Sequence, residues 1–208
     1  AVAEADHTRT KEQLEDLARE LSGTQSASRA IGEALREIEE DHPRPEDLAS
    51  TAQQPVHKAY ELPSEGNLPA LPSQRPRVVE MPPYRFGYLQ LVTAAPLEPE
   101  REPLLQYDPI DPNWKDKKLI SDHLRMLNRA QIFLTVLRDV APGRLTLLQL
   151  HRQKQGSLSS LRLRGHSLAL AEGWPLYVAQ LALDLLPKGT ARDRIQLLLW
   201  RHRLVQLG

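Results

Sequence analysis

Cysteine is absent from all 208 residues. Disulfides, thiolate metal sites and cysteine nucleophiles are therefore excluded, while the redox compartment is left open. No apolar run approaches the ~18 residues that a membrane-crossing helix needs. Glycine is scarce, with ten isolated residues, and there is no Walker loop, G-x-G-x-x-G or G-x-S-x-G. Histidine is present as His7, His42, His57, His123, His151, His166 and His202. No two stand at the i, i+4 spacing of a helical metal pair, so each reads as an ordinary surface histidine. Residues 113–208 carry only six carboxylates, too few to suggest a converging acid–base pair. The expectation is a non-enzyme with no catalytic residue, no metal ligand and no cofactor.

What is abundant is proline. Fourteen of the 17 prolines fall between Pro43 and Pro112. Proline lacks the N–H donor and clashes with the preceding turn, so helix and central-strand interiors exclude it. The pattern predicts three parts: an amphipathic helix over 1–42, a proline-rich linker over 43–112, and a folded domain over 113–208. Residues 43–83 are expected to be poorly ordered on their own. Within the linker, Tyr84, Phe86 and Tyr88 alternate, which predicts a strand over 84–92 that pairs within the chain or with another one.

Charge divides along the same line. Residues 1–112 carry 11 Lys and Arg against 21 Asp and Glu, a net of −10. Residues 113–208 carry 16 against six, a net of +10. Such asymmetry fits an acidic partner for the basic half, contact between the halves, or simply two solvated surfaces.

Residues 10–40 show a seven-residue repeat. Leu14, Leu21, Ser28 and Leu35 form one series; Leu17, Thr24, Ile31 and Ile38 form the other. Offset by three, they trace the seam of a coiled coil. Gly23, Thr24 and Ser28 weaken its centre, so two shorter helices joined near Ser22–Ser28 are the alternative. A helix packed on its own domain is a further one. Exposed aliphatic side chains at Leu14, Leu17, Leu21, Ile31, Leu35 and Ile38 make this helix a candidate interaction surface.

In the C-terminal part, Trp114 to Val140 reads as a long buried helix stopped by Ala141-Pro142-Gly143. Strands are predicted over 144–150, 161–165 and 195–199, with a helix opening at Trp174-Pro175 between the last two. The fold class expected is α+β: a small ferredoxin-like sandwich in the order α-β-β-α-β. Its core is expected to hold Leu134, Leu137, Leu147, Leu163, Leu183 and Leu197. The final strand offers an edge, which Arg201 and Arg203 either blunt or present to a partner. Arg162, Arg164, Arg192, Arg194, Arg201 and Arg203 also suggest an RNA-binding face as an alternative, but the strands offer only Trp200 for base stacking.

The helix ending at Pro142, the strand after it, Leu161-Arg162-Leu163-Arg164-Gly165, the helix through Val178 and Leu181, and the strand at Ile195–Leu199 together resemble the C-terminal domain of PilN/GspL-type inner-membrane platform proteins of type IV pilus and type II secretion systems. That resemblance implies a non-catalytic scaffold that dimerises with itself or with a sister platform protein. It also implies a periplasmic location, tethered to the inner membrane by a segment upstream of Ala1. The competing reading is an accessory subunit of another large complex.

Overall fold

The computed structural model describes residues 2–62, 68–85, 87–94, 98, 100–153 and 167–207. The N-terminal repeat resolves into two helices, α1 (Val2–Ser22) and α2 (Ala27–Glu40). Between them Gly23 takes a φ of +70°, and its N–H reaches the Arg19 carbonyl at 2.9 Å. This is a left-handed C-terminal cap of the kind that glycine supplies without a Cβ clash. Arg19 then donates from Nε to the Gln25 carbonyl at 3.2 Å, and Thr24 Oγ1 donates to the Glu33 carboxylate, closing a helical hairpin. Small buried residues (Ala18, Ala30, Ala34) let the helices approach. Leu14 and Ile38 are buried, and Leu17, Leu21, Ile31 and Leu35 pack, partly buried, on the main core. The expected coiled-coil extension is thus replaced by a hairpin whose seam faces inward.

The proline-rich stretch also folds. A 3-10 turn at Pro45–Asp47 leads into α3 (Leu48–Tyr60), which holds Pro55 in its interior. Leu48, Thr51, Ala52, Pro55, Val56 and Ala59 are buried at spacings of three and four. That stripe explains the helix: burial of one face outweighs the lost N–H at Pro55.

Three short strands follow, β1 (Arg77–Glu80), β2 (Leu89–Val92) and β3 (Leu104–Tyr107), in the order β1-β3-β2. β1 runs parallel to β3, with Arg77 opposite Leu104; β2 runs antiparallel, with Leu89 opposite Tyr107. The sheet therefore lies inside the 77–107 stretch and pairs within the chain.

The described residues of the C-terminal half are helical from Lys117 on, which overturns the ferredoxin-like reading. Asp116 caps α4 (Lys117–Met126), its carboxylate accepting the Lys118 N–H at 2.8 Å. Asn128 breaks the expected long helix and caps α5 (Arg129–Thr135), accepting the Gln131 N–H at 2.8 Å. This side-chain competition for backbone donors is why Asn favours helix starts. α5 passes into a π-helical turn (Val136–Val140), then α6 (Arg144–Gln153), α7 (Leu168–Leu185) and α8 (Thr190–Leu207). The stretches 144–150 and 195–199, read as strands, are turns of α6 and α8. A short apolar run does not distinguish the two by periodicity, and these runs are leucine-rich rather than β-branched. Buried on every side, Ile195 to Leu199 needed no alternation. The third expected strand, Leu161–Gly165, lies outside the described residues.

The main core collects side chains from α2, α3, β3, α5, the π-turn, α7 and α8, including Ile38, Val56, Leu105, Leu134, Leu137, Leu183 and Leu197. A smaller cluster of Leu48, Ala52, Tyr107, Leu124, Leu127 and Ile132 joins α3 and α4 to the sheet. Of the leucines expected in the core, Leu134, Leu137, Leu183 and Leu197 are there, Leu147 is half-buried, and Leu163 is among the residues not described.

Candidate functional site

The π-turn carries two partly buried charges of opposite sign. Widening a helix by one residue per turn displaces its side chains, and such turns recur at functional positions. Here the turn carries Arg138 and Asp139 in the midst of the apolar run Phe133–Val140. Arg144, at the start of α6, places Nε 3.6 Å from Asp139 and NH2 3.4 Å from Glu172 on α7. Burial pushes the Asp139 carboxyl above its ordinary value, and Arg138 and Arg144 pull it back. His202 on α8 is shifted the other way, since burial and the nearby Arg138 both disfavour its cation.

Packing fixes this arrangement closely. A Cβ at Gly143 would meet the Arg138 carbonyl oxygen at 1.7 Å, so only glycine fits. The Trp174 indole donates to the Gly143 carbonyl at 3.2 Å. Among the described residues, Arg138 Nε, Arg144 Nε and Thr146 Oγ1 are buried without a hydrogen-bond partner; for Arg144 Nε the 3.6 Å approach to Asp139 is an ion pair too long to be a hydrogen bond. Arg144 bridges two carboxyl groups from different elements. Chemically this ties α6 and α7 to the turn; it does not set two carboxylates across an open cleft.

A second histidine departs from the surface expectation. His123 is only 9% exposed, with Nε2 3.3 Å from the Asp108 carbonyl and its ring beside Tyr88 and Trp114. Among the described residues, no group of three His, Asp or Glu is placed to hold a metal ion.

Three of the exposed large apolar side chains lie on α7 and α8. α7 has only two charged residues, Glu172 and Asp184, in 18 positions. One face packs Val178, Ala179, Ala182 and Leu183 into the core. The other leaves Tyr177 58% exposed and Leu170 40% exposed, with Val205 of α8 at 76%. Beside Tyr177 a cleft of about 540 Å³ between α7 and α8 is lined by Leu176, Trp200 and Arg203, whereas Val205 lies on another face of α8, with Leu134 and Leu198. The two helices are locked side by side by a reciprocal amide pair, Gln180 to Gln196 at 2.9 Å and Gln196 to Gln180 at 2.8 Å.

The residues singled out from the sequence distribute differently. Leu14, Leu17, Leu21, Ile31, Leu35 and Ile38 are turned inward, as described above. Arg203 pairs with Asp6 of α1 at 2.6 Å, while Arg201 is exposed. Arg192 pairs with Asp184 at 3.2 Å and Arg194 with Asp41 at 3.1 Å; Arg162 and Arg164 lie outside the described residues. Sequence reasoning missed Arg138, Asp139, Arg144 and Tyr177, and considered Trp200 only for base stacking. The available signals were an Arg-Asp pair inside an apolar run and a helix apolar on every side.

Comparison with known proteins replaces the platform-protein resemblance. No curated protein matches the chain. A solved structure, titled "The structure of a putative lipoprotein of unknown function from Shewanella oneidensis", superposes with a TM-score of 0.76 over 97% of this chain at 17% identity. The chain spans only 36% of that protein's length. The resemblance to PilN/GspL-type proteins rested in part on strands over 144–150 and 195–199 that are helical here, and neither comparison supports it. The family model described as "Bacterial protein of unknown function (DUF885)" matches residues 1–204, so the chain belongs to the DUF885 family.

Proposed function

We propose that this chain is a non-catalytic helical interaction module that buries the α7–α8 face against another protein surface. The observation that carries the reading is the circumference of α7. A helix with so few charges belongs in an interior, yet among the described residues Leu170 and Tyr177 on it stay exposed. Exposed aromatic and aliphatic groups beside a cleft are what a protein interface uses as anchors. The matched fold makes up about a third of the Shewanella oneidensis chain, which is consistent with a module that works against a larger body. That protein's title calls it a putative lipoprotein, and we extend an envelope-associated location to this chain on that basis.

The RNA-binding alternative has less support, because Arg192, Arg194 and Arg203 are each committed to a carboxylate. A photo-crosslinking residue at Tyr177, with one at exposed Glu20 as control, tests the interface in cells. The expected result is a discrete protein adduct from position 177 alone, lost when Trp200→Ala, in the lining of the same cleft, is added. Adducts from both positions or from neither overturn the proposal.

A further inference from the structure

A different cavity, sharing no lining residue with the α7–α8 cleft, opens between α3 and the joint from α7 to α8. Its volume is about 600 Å³, within the range of small-molecule sites. The inner surface is apolar: Leu62 and Ile195 are buried there, and Phe133, Leu185 and Leu186 form half-buried walls. The mouth is cationic. Lys58 and Lys188 stand exposed at its edge and, among the described residues, neither is ion-paired. Arg192 also lines it but is held by Asp184 and Asp193, and among the described residues Glu61 is the one carboxylate in the lining.

We infer that this cavity binds a free straight-chain carboxylic acid, with the alkyl chain over Phe133 and Ile195 and the carboxylate between Lys58 and Lys188. The apolar inner wall selects an aliphatic body. Two unpaired ammonium groups at the entrance select a single anionic head and disfavour an alcohol or a cation. Lysine acts here as a point charge on a flexible stem, which suits a small carboxylate at a solvent boundary.

Calorimetric titration of the chain with decanoate, octanoate and decanol tests this. Decanoate is expected to bind one per chain. Octanoate should bind about 15-fold more weakly, the fold-change equivalent to ~0.8 kcal/mol for each of two buried methylenes. Decanol should bind at least tenfold more weakly than decanoate, and Lys58→Gln with Lys188→Gln should remove that difference without changing the melting temperature. Ala191→Trp, placed to fill the cavity from its open side, should abolish binding, whereas Tyr177→Glu should leave it intact. The inference fails if decanoate does not bind, if decanol equals decanoate in the unsubstituted chain, or if Tyr177→Glu rather than Ala191→Trp removes binding.

Discussion

Gly143 and Asp139 show how much a single position can carry. Because the Arg138 carbonyl stands where a Cβ would go, Gly143→Ala must move backbone, at a cost of about 3 kcal/mol or more. A denaturant melt should show the midpoint falling with no change in slope. Asp139 has a folded pKa raised above 3.8, chiefly by burial. Its unfolded form gives up the proton first as pH rises, so stability declines from about pH 4 upward until the folded group has ionised too. Arg138 and Arg144 limit the size of the effect and Glu172 adds to it. Melting temperatures followed across this window should drop more for the unsubstituted chain than for Asp139→Asn. A parallel pair of curves would rule out the buried carboxyl as the source.

At the scale of the element, the heptad pattern and the apolar stripes were legible because they recur over many residues. Leu134, Leu137, Leu183 and Leu197 could be placed in the core without coordinates, and Leu183→Ala or Leu197→Ala should each cost about 2–5 kcal/mol by thermal melt. Element type was harder. Arg144 to Leu150 and Ile195 to Leu199 are short and nearly all apolar, so their period was hidden, and tertiary burial rather than alternation decided their form. Proline density misled over α3, since Pro55 sits on the buried stripe of an amphipathic helix. Replacing it should restore a donor toward the Thr51 carbonyl while losing the packing of a small ring. Helix propensity favours alanine by roughly 3 kcal/mol, more than that packing is worth, so Pro55→Ala should raise the melting temperature.

Across the whole molecule, the opposite charges of the two halves meet each other. Asp6 reaches Arg203 at 2.6 Å, and Asp41 receives both Arg129 at 3.3 Å and Arg194 at 3.1 Å. Each partly exposed pair contributes at most about 1 kcal/mol, so the larger bond between the halves is their shared core. None of this could be read from net charge, which allows contact without locating it. A fragment of residues 105–208 should therefore lack a cooperative thermal transition, and limited proteolysis of the chain should not accumulate it. Recovery of a stably folded fragment there would show that the core divides.

The packing of α1 on α8 through Asp6 and Arg203 also bears on the order of events at the ribosome. The first helix emerges with its apolar face ready, but the surface that finally covers it is encoded near residue 200. At synthesis rates of ~5–20 residues per second, that face waits on the order of ten seconds or more for its cover. The α1–α2 hairpin needs only residues 2–40, so it can close and cover part of that face before α8 is made.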